Sequence, residues 1–273
     1  MNKNNITNST NYSSAFKNSM GNTFNKVRKT PKNKIIFFSI TIILIVLFIA
    51  YFSYSVYKNY NNTQANEPWI IPKTRIARQS LTVPGHVIKR SNDGQYGIEF
   101  TYAFWTYITD WTYKPESYKH VFHKGAAGAM PLQAPGVWLY PRENKMAINM
   151  NTYHSIKESC DIGNIPIGKW FHTTISVIGR NMDVYINGRL KKRCKFIGLP
   201  KQNYGDLHIT NWNGFEGFLS KFRYFNYSVK YWQVEKMVND GPSKAPCTET
   251  GVAPPYLSKD YWFSSGFPDA IIK

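Results

Sequence analysis

Acidic side chains are missing from the first quarter of this 273-residue chain. No Asp or Glu precedes Glu67, whereas the same segment contains eight lysine and arginine residues, seven of them before residue 35. A stretch without carboxylates provides neither an acid–base pair nor the oxygen ligands that calcium requires. Carboxylate-based catalysis and metal binding are therefore excluded from residues 1–66.

Charge, proline and glycine are all absent from residues 35–56. As a helix, this segment would be about 33 Å long, enough to cross a hydrocarbon core of about 30 Å. A helix of a soluble protein rarely stays apolar on every face over such a length. The pattern predicts a single transmembrane helix, assigned to residues 35–57, that contacts membrane lipid.

The charges on either side of this segment predict its orientation. Seven basic residues precede it and only Lys58 follows closely, so the positive-inside rule places the N-terminus in the cytosol and the C-terminal part on the lumenal or extracellular side. A cleaved signal peptide is the alternative, but its apolar region would be only about 7–15 residues long. We favour an uncleaved signal anchor in a single-pass membrane protein.

Composition divides the rest of the chain. Residues 1–34 are rich in Asn, Ser, Thr and Lys, which predicts a disordered, basic cytosolic tail. We assign residues 58–89 to a linker with a lead-in strand, 90–242 to a folded domain and 243–273 to a Pro- and aromatic-rich C-terminal extension. The formal net charge is +18, of which the part beyond Lys58 carries +10. Such a surface favours an anionic partner, but no nucleic-acid-binding motif accompanies it, and we predict no nucleic-acid partner.

Cysteine is scarce: the chain has only Cys160, Cys194 and Cys247. A zinc site therefore has little support. Cys160 and Cys194 each lie in a strand-like segment, and a disulfide between them would close a loop of about 33 residues and stabilise the fold by roughly 3–4 kcal/mol. Cys247 would remain free or available for an intermolecular bond. Asn61 and Asn226 begin glycosylation sequons on the same side of the predicted membrane helix.

Period-two alternation dominates the chain after residue 90. Between Ile98 and Ile108, β-branched and aromatic residues occupy both faces, as in a central strand that is covered on each side. Asn187-Gly188 predicts a tight type I′ hairpin turn. Further strands are predicted at 118–123, 136–140, 145–149, 170–178, 182–186, 189–196, 206–210 and 215–225. One helix is expected, capped by Ser228 and ended by Gly241-Pro242. The fold class is all-β, a two-sheet antiparallel jelly-roll sandwich with one short C-terminal helix.

Three motifs in this region resemble a known family. They are Lys169-Trp170-Phe171-His172, the run Met182-Asp183-Val184-Tyr185-Ile186-Asn187-Gly188, and the set Gly214, Phe215, Gly217, Phe218, Leu219, Phe222, Arg223 and Tyr224. Over about residues 90–242, the chain resembles the concanavalin A-like lectin/glucanase superfamily in its laminin G-like branch. Cys160-Asp161-Ile162, Asn164-Ile165-Pro166 and Cys194 resemble membrane-anchored versions encoded by large DNA viruses. That likeness implies a viral protein of the virion membrane.

Some members of this superfamily are glycosidases, and their chemistry needs a pair of carboxylates. For retention, the two groups lie about 5–5.5 Å apart, so they occupy strand positions two or four apart on one face. Here the carboxylates are scattered singly, and no Gly-x-Ser-x-Gly elbow is present. His120 and His123, three apart on a strand, are expected to face opposite sides. We predict a protein that is not an enzyme, with a glycoside hydrolase as the less favoured alternative.

The resemblance implies a lectin-like rim that binds a glycan or a protein receptor, in some members through calcium. Asp93, Asp110, Asp161 and Asp206 are candidate calcium donors, but they form no cluster, and aspartate is common in the turns of any sandwich. We expect no cofactor.

Tryptophans divide between core and rim in this interpretation. Trp105, Trp138 and Trp170 are predicted to fill the core. Exposed rings near turns could instead stack on a sugar. We assign ligand binding to Trp111, Tyr204, Asn211, Trp212 and Asn213.

These features together predict a membrane-anchored, non-catalytic recognition module of the attachment type. It would bind carbohydrate or a protein surface. The alternative is a membrane-tethered scaffold or minor virion protein that makes contacts through its sheets and its C-terminal extension.

Overall fold

A computed structural model describes residues 32–95, 97–128 and 132–244. The chain divides into two compact units, Met1–Tyr60 and Asn61–Lys273. The predicted tail up to residue 31, the predicted extension beyond residue 244 and Cys247 lie outside the described residues.

The apolar segment forms one long helix, α1 (Lys32–Asn66). Its apolar side chains are exposed, and the stretch Lys34–Asn66 is long and apolar enough to cross a membrane. The predicted helix is therefore confirmed, as one that could serve as a membrane anchor or a signal sequence.

Two sheets of antiparallel strands follow, in the described part of the chain. The strands are β1 (Trp69–Ile76), β2 (Leu81–Val83), β3 (Asn92–Gly94), β4 (Gly97–Asp110), β5 (Lys119–Gly125), β6 (Gln133–Leu139), β7 (Lys145–Met150), β8 (Glu158–Gly163), β9 (Trp170–Ile178), β10 (Asn181–Ile186), β11 (Arg189–Lys195), β12 (Asp206–Ile209) and β13 (Glu216–Phe225). A 3₁₀ turn (Gly85–Val87) follows β2, and helix α2 (Tyr231–Asn239) follows β13. The predicted sandwich with one short C-terminal helix is confirmed.

Strand order defines a seven-stranded and a six-stranded sheet. The first runs β1-β13-β4-β9-β10-β11, with β3 beside β4, and the second runs β2-β12-β5-β6-β7-β8. Residues 58–89, predicted as a linker with a lead-in strand, contain the end of α1 and strands of both sheets. Pro72 lies inside β1. Because β1 is an edge strand, the missing proline N–H is tolerated there.

The core lies between the sheets and follows the alternation predicted for β4. Ile98, Phe100, Tyr102, Phe104 and Ile108 all belong to it. The Tyr102 ring contacts the rings of Phe122 and Phe222, with centroids 5.1 and 6.1 Å away. These contacts join β4, β5 and β13 across the two layers.

The prediction that three tryptophans fill the core is confirmed only for the burial of two of them: Trp105 and Trp138 are each 7% exposed, whereas Trp170 is partly buried. Trp105, Trp138 and Trp170 do not belong to the cluster between the sheets. Neighbouring residues on a strand point to opposite faces, so an inward Phe104 turns Trp105 outward. There Trp105 packs on His172, with ring centroids 5.2 Å apart.

Helix α2 packs on the outer face of the seven-stranded sheet. Its Val234 is buried with Ala103, Phe225 and Val229. The predicted cap at Ser228 is wrong, because the Ser228 hydroxyl lies 2.7 Å from that of Ser176. The helix begins three residues later, where the Lys230 N–H donates to the Gln233 side chain at 2.8 Å.

The predicted hairpin between β10 and β11 is confirmed. Asn187 and Gly188 have φ values of 49° and 81°, as a type I′ turn requires. The Asn187 side-chain oxygen also accepts the N–H of His172 at 2.8 Å. The turn is therefore tied to β9 as well as to its own strands.

A disulfide joins Cys160 on β8 to Cys194 on β11. These strands are the edges of opposite sheets, so the bond links the two layers at one side of the sandwich. Next to it, Lys192 Nζ donates to the Asp161 carbonyl at 3.0 Å.

Removal of this bond should destabilise the domain. We expect the paired substitution Cys160→Ser and Cys194→Ser to lower the free energy of unfolding by about 3–4 kcal/mol, since the closed loop no longer restricts the unfolded chain. Chemical denaturation of the full chain in neutral detergent, with Cys247→Ser as the matched control, measures the difference. Equal stability of the paired variant and the control would contradict the expectation.

Buried His172 should make stability depend on pH. Burial lowers its pKa to about 3, whereas the unfolded residue binds a proton near pH 6.5. The folded state therefore loses stability as the pH falls from about 6.5 towards 3, by about 2 kcal/mol at pH 5 from this residue. We expect His172→Gln to show a smaller decrease in melting temperature between pH 7 and pH 5. An unchanged pH dependence would contradict this assignment.

Candidate functional site

Five aromatic and imidazole rings form a cluster on the outer face of the six-stranded sheet. They belong to His120 and His123 on β5, Trp138 on β6, His208 on β12 and Trp212 in the loop that follows β12. The rings of Trp138 and Trp212 stack at 5.6 Å and 21°, and those of His123 and His208 at 4.8 Å. We call this group the tryptophan–histidine cluster.

A β-bulge brings the two histidines of β5 to the same face. The register with β6 shifts between His120 and Phe122, and Val121 and Phe122 are both part of the core. The expectation that His120 and His123 face opposite sides is therefore wrong. Their Nε2 and Nδ1 atoms are 2.8 Å apart, because the bulge adds one inward residue to the alternation.

Hydrogen bonds determine which ring nitrogen carries the proton in each of these histidines. The Asn211 N–H donates to His120 Nδ1 at 2.9 Å, so His120 carries its proton on Nε2 and donates to His123. His123 Nε2 then donates to the Ala126 carbonyl at 2.9 Å. Burial is the main reason why the pKa of both histidines is lowered. Both are neutral near pH 7, and His120 anchors the loop that carries Trp212.

The structure brings most of the predicted rim residues together. Asn211, Trp212 and Asn213 form the loop after β12, in which Trp212 and Asn213 have positive φ values of 54° and 59°. The Tyr113 hydroxyl donates to the Asn213 carbonyl at 3.2 Å, and Lys114 Nζ donates to the Trp212 carbonyl. The loop that contains Trp111 therefore lies against the loop that contains Trp212.

Two of the predicted binding residues, Trp111 and Tyr204, do not add an exposed ring to the tryptophan–histidine cluster. Trp111 is partly buried against the core, and Lys119 Nζ lies 5.4 Å from its ring centroid. Tyr204 is 71% exposed, but it precedes β12 whereas Trp212 follows that strand. Tyr204 therefore lies at the opposite end of β12 and is not part of the tryptophan–histidine cluster.

Next to the cluster, a cavity of about 230 Å³ opens on the same outer face. Trp138 forms part of its wall and so belongs to both the cavity and the cluster. Tyr118 and Tyr140 form another part, with ring centroids 5.0 Å apart. The remaining wall comes from Ala147, Asn149, Lys157 and Ser159. We call this cavity the aromatic groove.

Polar atoms accompany the rings of the aromatic groove. The Tyr140 hydroxyl donates to Asp161 at 2.8 Å, and this hydrogen bond is the main reason why the pKa of Tyr140 is raised. Ser159 donates to the other Asp161 oxygen at 2.8 Å. Among the described residues, no donor bonds the buried Asn149 Oδ1. Aromatic faces with a few placed polar groups are typical of sites for small organic ligands.

No motif in the sequence predicted this groove, because its residues come from three strands, β6, β7 and β8, and from segments next to strands. A partial signal was available in β6, where Val137 and Leu139 alternate with Trp138. Since Val137 and Leu139 are core residues, Trp138 must face outward.

Three of the four candidate calcium donors are engaged separately, and the side chain of the fourth, Asp93, lies outside what the structure describes. Asp110 accepts from the Thr112 N–H at 2.8 Å, Asp206 from the Gly85 N–H at 2.8 Å, and Asp161 from Tyr140 and Ser159. Within the ranges that the structure describes, no group of three or more His, Cys, Asp or Glu side chains has an arrangement that could hold a metal ion.

The two sequons differ in accessibility. Asn61 is exposed, and its glycosylation stays a prediction. Asn226 is 6% exposed, and its backbone N–H donates to the Asn66 carbonyl at 3.0 Å. This burial argues against a glycan on Asn226 in the folded domain.

Solved structures with a similar fold include receptor-binding domains of botulinum neurotoxins. The C/D mosaic serotype domain shares 12% identity over 53% of this chain and 36% of that one, with a TM-score of 0.44. A second structure of the C/D domain, with tetraethylene glycol and sulfate bound, shares 12% over 64% and 45%, with a TM-score of 0.47. The serotype G binding domain shares 14% over 62% and 46%, with a TM-score of 0.42. This chain spans less than half of each of those structures.

Among curated proteins, none matches the chain significantly. The resemblance to viral membrane-anchored versions stays a prediction. A laminin G-like family, described as the concanavalin A-like lectin/glucanases superfamily, matches residues 78–234. Because this match covers more than half of the sequence, the chain belongs to the laminin G-like branch of the concanavalin A-like lectin/glucanase superfamily.

Proposed function

We propose that this chain is a membrane-anchored, non-catalytic recognition module that binds a saccharide in the aromatic groove. The position of Trp138 carries the proposal. Trp138 is only 7% exposed, but its ring forms part of the groove wall with Tyr118 and Tyr140, and it stacks on the half-exposed Trp212 of the neighbouring cluster.

The chemistry of the groove suits a sugar ring. Sugars present apolar C–H faces together with hydroxyl groups, and aromatic side chains combine an apolar face with a polar edge. Asn149, Lys157 and Ser159 provide amide, ammonium and hydroxyl groups to orient those hydroxyls. The mixture favours a saccharide over a purely apolar ligand.

Binding without cleavage is favoured by the carboxylates. A retaining glycosidase needs two carboxyl groups about 5–5.5 Å apart. In the described lining of the aromatic groove there is no carboxylate, and neighbouring Asp161 accepts hydrogen bonds from Tyr140 and Ser159. An engaged, single carboxylate is poorly suited to act as nucleophile or acid.

The apolar helix α1 supports anchoring. Seven basic residues precede its uncharged part, residues 35–56, and Lys58 alone follows that part closely, so the positive-inside rule favours a position of residues 61 onwards outside the cytosol. A saccharide-binding domain displayed there would act in attachment to glycans of a cell or particle surface.

A glycan array probed with the full chain in neutral detergent tests this function. We expect binding to one group of neutral glycans, and we expect Tyr118→Ala and Trp138→Ala to weaken it by about tenfold, which corresponds to about 1.4 kcal/mol. Tyr118 is 49% exposed, so its substitution should leave the fold intact. Tyr231→Ala, on the exposed side of α2, is the matched control and should bind like the unmodified chain.

Two results would overturn the proposal. One is that no neutral glycan binds while the melting temperature shows a folded domain. The other is that Tyr118→Ala and Trp138→Ala bind as well as Tyr231→Ala. Release of reducing sugar from a bound glycan would instead overturn the non-catalytic part.

A second candidate function, a membrane-tethered scaffold, is favoured by an exposed apolar patch. Tyr153, Ile156, Ile197 and Leu199 are 74%, 57%, 63% and 43% exposed. Their loops adjoin, because the Tyr153 N–H donates to the Leu199 carbonyl at 3.0 Å. Clustered exposed apolar side chains are typical of protein–protein contacts.

Cross-linking on intact membranes tests the scaffold. We expect the paired substitution Ile156→Ser and Ile197→Ser to remove a specific cross-linked product, because the contact would lose its apolar area. The paired substitution Lys73→Ser and Lys169→Ser is the control on other surfaces. An unchanged set of products would count against the scaffold.

A further inference from the structure

A second cavity lies on the outer face of the seven-stranded sheet, at the turn between β9 and β10. Its volume is about 490 Å³. Three cations line it, Arg180, Arg193 and Lys195, whereas Asp183 is its one carboxylate among the described residues. We call it the basic groove. Its lining therefore has an excess of positive charge.

Arg180 is held in place by the backbone at the end of β11. The Phe196 N–H donates to the Arg180 carbonyl at 2.8 Å, and Arg180 Nε donates to the Phe196 carbonyl at 3.1 Å. These bonds do not use the two terminal nitrogens of the guanidinium. A planar guanidinium fixed in this way is suited to bind a carboxylate or sulfate through two parallel hydrogen bonds.

Arg193 and Asp183 neutralise each other. Arg193 donates through Nε and Nη2 to the two Asp183 oxygens at 2.6 and 2.7 Å. The hydrogen bonds to Asp183 are also the main reason why the pKa of Arg193 is raised. With this pair balanced, Arg180 and Lys195 remain as the uncompensated charges of the basic groove.

Positive charge continues along β11 beyond the groove. Its sequence, Arg-Leu-Lys-Lys-Arg-Cys-Lys, contains five basic residues and no acidic one. Lysine on an edge strand also discourages pairing with another sheet, which accounts for charge on β11. It does not account for the cavity or for the fixed position of Arg180, which lies outside that strand.

The other walls distinguish between classes of anionic ligand. Ile178 and Leu199 form an apolar wall, and Asn181 adds an amide. An apolar wall beside an amide suits a ring that carries hydroxyls better than it suits a bare inorganic anion. Nucleic acid is disfavoured, because single strands bind by stacking on aromatic rings and the described lining of this groove contains none.

We infer that the basic groove binds an acidic saccharide through its sulfate or carboxylate group, with Arg180 and Lys195 as the main contacts. The inference deepens the proposed recognition function and rests on it for the class of ligand. It uses different residues on the opposite sheet, so the two sites can be tested separately.

Matched saccharide pairs test this inference. Binding to the full chain in neutral detergent is measured by calorimetry with a dextran sulfate oligosaccharide and with unsulfated dextran of the same length. A second pair is 3′-sialyllactose and lactose. We expect the acidic member of at least one pair to bind, and Arg180→Gln to weaken it by about tenfold or more, as loss of charge-assisted hydrogen bonds predicts. Lys195→Gln should weaken it less.

Lys169→Gln is the matched control. It removes one positive charge at the start of β9, whereas Arg180 follows the end of that strand, so it changes net charge equally at about 30 Å distance. We expect its affinity to stay within about twofold of the unmodified chain, since exposed charges beyond a Debye length of about 8–10 Å are largely screened. Equal losses in Lys169→Gln and Arg180→Gln would overturn the site in favour of a general charge effect.

Other sources of the same anionic group give further outcomes. At matched ionic strength, sodium sulfate should compete less well than the sulfated oligosaccharide. Equal competition would overturn the inference that the ligand is a saccharide and would indicate a simple anion site. Arg180-dependent binding to phosphatidylserine vesicles, with no binding to either acidic saccharide, would overturn it in favour of lipid headgroups.

The experiments distinguish a failure of the basic-groove inference from a failure of the aromatic-groove proposal. If Tyr118→Ala abolishes neutral-glycan binding but acidic saccharides never bind, the basic groove is wrong and the aromatic groove stands. If acidic binding depends on Arg180 but no neutral glycan binds, the basic groove stands and the aromatic groove is wrong.

Discussion

Burial of one face of each sheet fixes nearly everything else in this domain. The inward aromatic side chains of β4, β5 and β13 interlock between the layers, and Phe122 and Phe222 lie with centroids 4.8 Å apart. Because side chains alternate along a strand, each inward residue dictates which neighbours face out. The outward set includes Trp138, Asn181 and Lys195. Both candidate binding surfaces are therefore consequences of how the core packs.

The bulge in β5 breaks the alternation of side chains and thereby helps to form the tryptophan–histidine cluster. Two successive residues, Val121 and Phe122, enter the core, and His120 and His123 share the outer face. His120 then anchors the Asn211 N–H. A positive φ costs free energy in any residue other than glycine, and Trp212 and Asn213 on that loop both have one. The hydrogen bond to His120 therefore stabilises a loop conformation that holds Trp212 beside Trp138.

Sequence patterns predicted those features that depend on neighbours in the chain. Strand β9, the Asn187-Gly188 turn and the inward face of β4 follow from local periodicity and turn chemistry. The bulge depends on the partner strand β6, so the period-two pattern misplaced His123. Tyr204 and Trp212 are close in sequence, but the strand between them separates their side chains. The grooves were missed because each collects residues from several strands.

Asp161 connects the two halves of the recognition hypothesis. Its carboxylate accepts a hydrogen bond from Tyr140 of the aromatic groove, and its backbone carbonyl accepts one from Lys192 of the basic strand β11. The neighbouring disulfide holds β8 and β11 together at this edge. The grooves themselves lie on opposite outer faces of a sandwich whose layers are about 10 Å apart, so one small sugar cannot occupy both. A longer acidic glycan that follows the edge past Lys192 could reach both, and its affinity would then exceed that of either site because the second contact is intramolecular.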